Sequence, residues 1–100
     1  MVVCTEAPYL SDGVPSNTTV IENNPITLPC PVQGTPRPQI TWYRGDSPVM
    51  SHRVTSEGSL VLDRVVANDT GQYRCVAVNV AGNITHTVDL VVYGEIYVYQ

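Results

Sequence analysis

The sequence predicts an all-β protein, folded as a sandwich or a barrel. Short runs of alternating apolar and polar residues recur along the chain, and turn-forming Pro, Gly, Asn and Thr separate them. Sustained apolar spacing of three and four residues, which marks an amphipathic helix, is missing. We therefore expect seven or eight strands, of which the last two form a hairpin.

In the first half of the chain, strands are predicted at residues 18–22, 26–32 and 39–43, with a weaker one at about 48–55. The alternation places Leu28 and Cys30 of the second run and Trp42 of the third on inward faces. Pro29 and Pro31 remove two N–H groups from one edge of the second run, because residues two apart point the same way. We expect pairing on that edge to be interrupted and the strand itself to persist.

In the second half, strands are predicted at residues 59–63, 71–79 and 84–92. Their alternation turns Leu62, Tyr73, Cys75 and Val88 toward the core. A tight turn at residues 81–83 joins the last two strands. Cys30 and Cys75 then lie on inward faces of strands assigned to opposite sheets.

The length and charge of the chain limit its class. One hundred residues make one domain, and a net charge of −4 argues against a nucleic-acid or anionic-membrane surface. No apolar run reaches the length of a membrane span. The first ten residues lack the basic and apolar regions of a signal peptide, so we interpret the chain as a module of a larger protein. The predicted parts are an N-terminal extension at 1–13, a domain at 14–93 and a tail or linker at 94–100.

Four residues carry the most specific pattern in the sequence. Cys30 and Cys75 are 45 residues apart, Trp42 follows the first cysteine by 12, and Tyr73 precedes the second by two. This pattern resembles an immunoglobulin domain, and the resemblance implies an all-β, immunoglobulin-like β-sandwich of two antiparallel sheets. The stretches GTPRPQITWYRG, GSLVLDRVVANDTGQYRCVAVNVAGN and VDLVV are similar to I-set domains of adhesion and matrix proteins, most of all to the tandem repeats of hemicentin-type proteins.

The resemblance implies a set of structural roles. Cys30 and Cys75 would form an inter-sheet disulfide packed on Trp42, worth on the order of 4 kcal/mol. Tyr73 would tie its hydroxyl back to the preceding loop. The remaining predicted core and corner residues are Leu62, Gly71 in an unusual backbone conformation, and Asp69 paired with Arg53.

The function implied by the resemblance is non-catalytic. We expect an extracellular module of cell adhesion or matrix assembly, which binds neighbouring immunoglobulin domains and matrix or cell-surface proteins. Two alternatives stay open: a ligand-binding domain of a cell-surface receptor, and an intracellular structural domain of the muscle type. The sequence holds no nucleophile motif and no closely paired metal ligands, so we expect no enzyme activity and no cofactor.

Three asparagines stand in N-x-T sequons, namely Asn17, Asn68 and Asn83, and are candidates for glycosylation. Asn68 differs from the others because its sequon overlaps the predicted corner. If Cys30 and Cys75 pair, Cys4 is left over. It then serves an intermolecular bridge or a reactive thiol, or belongs incidentally to the N-terminal extension.

Two candidate protein-binding sites follow from the placement of the strands. Arg44, Gly45 and Asp46 form the integrin-recognition tripeptide at a predicted turn. The second candidate is the outward side of the sheet that holds Cys75, with Tyr43, Arg74, Val76 and Val78 as its main residues and Thr41, Thr87 and Val91 beside them. Tyr and Arg are enriched at protein interfaces, which is consistent with a contact role for this side. Scattered exposed valines are also normal in strands, so a plain surface is the alternative.

Overall fold

Two layers of β-strands enclose one core in the computed structural model, which describes residues 4–11, 16–49 and 53–94. Within these residues the strands are β1 (Glu6–Leu10), β2 (Asn17–Ile21), β3 (Ile26–Leu28), β4 (Val32–Thr35), β5 (Gln39–Arg44), β6 (Ser47–Pro48), β7 (Arg53–Val54), β8 (Leu60–Leu62), β9 (Gly71–Asn79) and β10 (Gly82–Tyr93). A single 3₁₀ turn, η1 (Ala67–Asp69), precedes β9. In the described part of the chain, no helix has the length and apolarity needed to span a membrane.

One layer is a five-stranded sheet in the order β2-β10-β9-β5-β6. The other layer consists of the three-stranded sheet β3-β8-β7 and the two-stranded pair β1-β4. All neighbouring strands run antiparallel except β2 and β10, which run parallel. The prediction of an immunoglobulin-like, all-β sandwich is confirmed.

The core lies between the layers and is almost wholly apolar. The predicted disulfide between Cys30 and Cys75 is present and joins the two layers. Trp42 packs beside it with 2% of its surface exposed, and its indole Nε1 donates a 2.7 Å hydrogen bond to the carbonyl of Gly58. The other buried core residues are Leu28, Leu60, Leu62, Val65, Tyr73, Ala77, Val88 and Leu90. Burial of these side chains is the main favourable term in folding.

The segment around the first disulfide cysteine interrupts its strand. The sequence predicts one strand over residues 26–32, which is wrong in the middle: the ladder ends at Leu28 and resumes at Val32. Pro29 and Pro31 have no N–H group to donate on one edge, and the Cys30 carbonyl accepts locally from the Val32 N–H at 2.8 Å, so the ladder does not continue through the segment. The two halves pair with different strands, β3 with β8 and β4 with β1.

The first strand lies in a region that the sequence assigns to an N-terminal extension. β1 pairs antiparallel with β4 and therefore belongs to the sandwich. Pro8 is buried in its middle. Proline is tolerated in an edge strand but weakens the strand pattern in a sequence, which explains why this element is missed.

The last two strands form the longest ladder of the molecule. β9 and β10 pair from Asn79 opposite Gly82 to Gly71 opposite Leu90. The turn falls at Val80 and Ala81, one residue before the predicted position, and β10 begins at Gly82. Because β10 keeps the predicted alternation, Val88 and Leu90 are buried while the residues between them face outward.

Candidate protein-interaction site

The outer face is defined here as the side of the five-stranded sheet that points away from the core. Strand pairing sets its side chains in cross-strand rows, which are Gln39–Val78–Asn83, Thr41–Val76–Thr85 and Tyr43–Arg74–Thr87. These rows alternate with the buried residues of the same strands, as the period of two requires. The four main residues of the predicted contact side thus lie on two neighbouring strands, β5 and β9.

Tyr43 and Arg74 form the centre of the outer face. The guanidinium carbon of Arg74 lies 5.1 Å from the centre of the Tyr43 ring, which is cation–π geometry. Within the described residues, the Nε atom of Arg74 is the one buried side-chain nitrogen or oxygen without a hydrogen-bond partner. A buried N–H group without an acceptor carries a desolvation cost.

The other arginines with described side chains make hydrogen bonds inside the domain. Arg37 donates to the carbonyl of Ser56 at 2.6 Å, and Arg64 donates to the side chain of Asn23 at 3.0 Å. Arg44 donates to two backbone carbonyls of the corner described below. Arg74 differs from these three, because its guanidinium stacks on an aromatic ring and its Nε has no hydrogen-bond partner.

Apolar side chains border this charged centre. Val78 is 48% exposed, and Val91 on β10 is 36% exposed. Val76 is half-buried between Val78 and Arg74, whereas Val91 lies on the other side of Arg74, beyond Asp89. An apolar surface combined with one Tyr and one Arg has the composition of the energetic centre of a protein interface. The row formed by Gln72 and Asp89 is polar, and the side-chain amide of Gln72 donates to the carboxylate of Asp89 at 3.2 Å.

A corner built by Asp69 and Tyr73 closes the end of the sandwich. The Tyr73 hydroxyl donates a 2.7 Å hydrogen bond to the carbonyl oxygen of Asp69, and a carboxylate oxygen of Asp69 accepts a 2.8 Å bond from the N–H of Val66. Burial raises the pKa of the Tyr73 phenol, an effect that Arg44 opposes. Gly71 starts β9 with a φ of 158°.

Arg44 is the cation that faces this corner. Its guanidinium donates to the carbonyl oxygens of Asn68 and Thr70 and lies 3.9 Å from the carboxylate of Asp69. The resemblance predicts Arg53 as the partner of Asp69. The side chain of Arg53 lies outside the described residues, so this pairing stays a prediction.

The two charged residues of the tripeptide at residues 44–46 therefore have different environments. Arg44 reaches back into the corner, where its guanidinium carbon lies 5.5 Å from the centre of the Tyr73 ring. Gly45 turns the chain with a φ of 62°, and Asp46 is exposed. The two charged side chains thus do not form a free pair on the surface.

Asn79 is a structurally important residue that the sequence does not reveal. Its amide nitrogen donates to the carbonyls of Glu6 and Pro36 at 2.8 and 2.9 Å. Its amide oxygen accepts from the N–H groups of Ala81 and Gly82 at 2.9 and 3.2 Å. An Asn just before a turn predicts the two local bonds, as in an Asx turn. The two long-range bonds, in which Asn79 is the donor, depend on which backbone carbonyls the fold brings beside it.

The three sequons occupy two kinds of position. Asn17 and Asn83 are exposed on strands β2 and β10, and both lie on the outer face. Asn68 is exposed within η1, next to Arg44. Cys4 is exposed and is the one free cysteine of the chain.

Comparison with known sequences gives a consistent result. The family model of the immunoglobulin I-set domain matches residues 11–92. Hemicentin-1 of Homo sapiens is 42% identical over 92 residues, covering 87% of this chain. Hemicentin-2 of Mus musculus is 41% identical over 80 residues, covering 76% of this chain. The chain spans about 2% of the length of either hemicentin.

Comparison with solved structures finds the same fold. The structure of Sidekick-1 immunoglobulin domains 1–5 superimposes with a TM-score of 0.82 and 30% sequence identity. That alignment covers 92% of this chain and 21% of the Sidekick-1 chain. The match to a tandem array is thus a match to one of its repeating units.

Proposed function

Because this chain belongs to the immunoglobulin I-set family, we propose that it is an extracellular, non-catalytic module that binds proteins in cell adhesion or matrix assembly. The contact surface is the outer face, with the stacked pair of Tyr43 and Arg74 at its centre. One observation carries the proposal: Arg74 is held over the Tyr43 ring at 5.1 Å, so the outer face presents a fixed guanidinium beside an aromatic ring. The inter-sheet disulfide supports the extracellular setting, since such bonds persist in oxidising compartments.

The chemistry of the outer face defines the partner. A carboxylate is the acceptor that matches a guanidinium best, and it forms a charge-assisted hydrogen bond. Val76 is half-buried beside Arg74 on the same face of β9 and suits an apolar side chain. The partner is therefore a protein surface that presents an Asp or Glu beside an apolar residue.

The integrin-recognition tripeptide is not part of the proposed contact surface. Arg44 is held by two backbone carbonyls and by the carboxylate of Asp69. A receptor that needs Arg44 would have to break these contacts. We assign Arg44 to the stability of the corner and leave Asp46 as an isolated exposed carboxylate.

A binding experiment tests the proposed surface. Beads coated with the whole chain are added to decellularised fibroblast matrix and, separately, to beads coated with the same chain. We expect the wild-type chain to bind the matrix and the Arg74→Ala variant to lose at least tenfold in bound beads. Arg74→Lys keeps the charge but loses the planar guanidinium, so we expect it to bind weakly.

Arg64→Ala is the matched control. It removes the same charge from a site outside the outer face, where Arg64 bonds to Asn23, and we expect unchanged matrix binding. Equal binding by Arg74→Ala and wild type would contradict the assigned surface. Wild-type beads that bind no matrix would contradict the proposed matrix partner, and binding only between coated beads would identify a second copy as the partner.

A further inference from the structure

Two of the three sequons lie on the outer face in extended strands. Asn17 pairs in register with Asp89 at the start of β2, and Asn83 pairs with Val78 near the start of β10. In a strand, residues two apart point to the same side. The Asn and Thr of each sequon, Asn17 with Thr19 and Asn83 with Thr85, are accordingly exposed together.

The sequon of Asn68 has a different environment. Asn68 and Asp69 lie in η1, and Thr70 follows η1 directly. The Thr70 hydroxyl accepts a 2.9 Å hydrogen bond from the backbone N–H of Val92. The carbonyl of Asn68 itself accepts from Arg44. Once the corner has formed, the hydroxyl that completes this sequon is committed to the fold.

We propose that Asn17 and Asn83 carry N-linked oligosaccharides, that Asn68 is left unmodified once the corner has formed, and that the glycans restrict which part of the outer face a partner reaches. This inference rests on the proposed extracellular function, because the sugar donor is a lipid-diphosphate oligosaccharide of the secretory pathway. The asparagine amide nitrogen forms a bond to C1 of the sugar and loses a proton. The bond between C1 and the diphosphate oxygen breaks, and the lipid diphosphate leaves.

The glycan positions define the remaining contact area. Val78 is four residues from Arg74 along β9, a separation of about 13 Å at the rise of a strand. Asn83 lies directly across from Val78, so its glycan covers Val78 and leaves the Tyr43–Arg74 pair open. Asn17 lies at the β2 edge, across β10 from β9, and its glycan limits the approach from that side. A partner therefore docks over β5 and the adjoining part of β9.

Site occupancy tests the first part of the proposal. The whole chain is secreted from cultured human cells behind a signal peptide, and peptides are mapped by mass spectrometry after enzymatic deglycosylation in ¹⁸O water. We expect Asn17 and Asn83 to be labelled in most molecules and Asn68 in few. Thr85→Val and Thr19→Val each abolish one glycan, whereas the matched Thr85→Ser and Thr19→Ser variants keep a hydroxyl and keep their glycans.

Chemical labelling tests the second part. Val78→Cys, made in a Cys4→Ser background, is treated with a bulky polyethylene-glycol maleimide. We expect labelling to be several-fold slower in the glycosylated chain than in the same chain carrying Thr85→Val. Val54→Cys on the opposite layer is the control, with equal rates in both backgrounds, since Val54 is 43% exposed and far from either sequon.

The possible results separate this inference from the proposed function. The glycan inference would be overturned by any of three results, whatever the matrix-binding experiment shows. These results are an unmodified Asn17 or Asn83, high occupancy of Asn68, and equal labelling rates at position 78 in the two backgrounds. A failure of Arg74→Ala to reduce matrix binding would overturn the contact surface while leaving the glycan positions intact.

Discussion

The guanidinium of Arg44 lies over the ring of Tyr73, with its carbon 5.5 Å from the ring centre. It also donates to the carbonyls of Asn68 and Thr70, so one side chain joins the end of β5 to the segment before β9. These contacts convert the first residue of a known recognition tripeptide into part of the fold. Two predictions follow from this arrangement, one for stability and one for cell attachment.

Arg44→Ala is expected to lower the free energy of unfolding by about 1–2 kcal/mol, because two charge-assisted hydrogen bonds are lost from a partly exposed site. The measurement is urea denaturation of the purified chain. Asp46→Ala, two residues away and exposed, is the control and should change stability by less than about 0.5 kcal/mol. Equal stability of the two variants would show that the corner contacts of Arg44 contribute nothing.

Asp46→Glu is expected to leave the attachment of integrin-expressing cells to the coated chain unchanged. The physical reason is that Arg44, which a tripeptide site needs, is engaged by the corner. Cell counts on surfaces coated with equal amounts of wild type and variant measure the effect. Loss of attachment in the variant, with its folding intact, would establish the tripeptide as a working site.

Trp42→Ala is expected to cost roughly 3–5 kcal/mol, because it leaves a cavity beside the disulfide. Trp42→Phe keeps most of the ring but removes the donor to the Gly58 carbonyl, so its cost should be about 1–3 kcal/mol. Thermal unfolding followed by circular dichroism compares the three proteins. A wild-type melting temperature for Trp42→Ala would be incompatible with the core position of this residue.

Asn79→Asp is expected to cost about 2–3 kcal/mol at neutral pH, because a carboxylate oxygen would face the carbonyls of Glu6 and Pro36. The measurement is urea denaturation of wild type and variant at neutral pH. Equal stability of the two proteins would contradict the hydrogen-bond assignment.

Tyr73→Phe removes the hydrogen bond to the Asp69 carbonyl and is expected to cost about 1 kcal/mol at neutral pH. Burial raises the pKa of Tyr73 above the ordinary phenol value of 10.0. Its stabilising contribution is thus complete below about pH 10 and is lost as the pH rises further, because the unfolded chain ionises first. The stability gap between wild type and variant should narrow above about pH 10. A constant gap would mean that the phenol ionises as easily folded as unfolded.

The features that the sequence predicts correctly are those encoded by local pattern and fixed spacing. Alternation places Trp42 and Cys75 on inward faces, and the resemblance supplies the disulfide between Cys30 and Cys75. The segment Pro29–Pro31 is harder to predict. Its missing N–H groups identify the hydrogen bonds that cannot form, but they do not identify the strand with which each half of the segment pairs instead.

The contacts of Arg44 and Asn79 could not be predicted for a related reason. Both side chains bond mainly to backbone carbonyls, which every residue possesses. No spacing in the sequence therefore distinguishes the acceptor that is used. The stacking of Arg74 on Tyr43 is easier in principle, since the register of β5 and β9 places the two side by side.

The parallel pairing of β2 with β10 determines how the domain responds to tension. β2 leads in from the N-terminal side, and β10 leads out at Tyr93. Tension that reaches β2 from its N-terminal side and β10 from its C-terminal side pulls the two strands in opposite directions along their common ladder, from Asn17–Asp89 to Ile21–Tyr93. The hydrogen bonds of that ladder are then sheared together, whereas a hairpin opened from one end would lose its bonds one after another. Under such tension the ladder bears the force before the core is exposed.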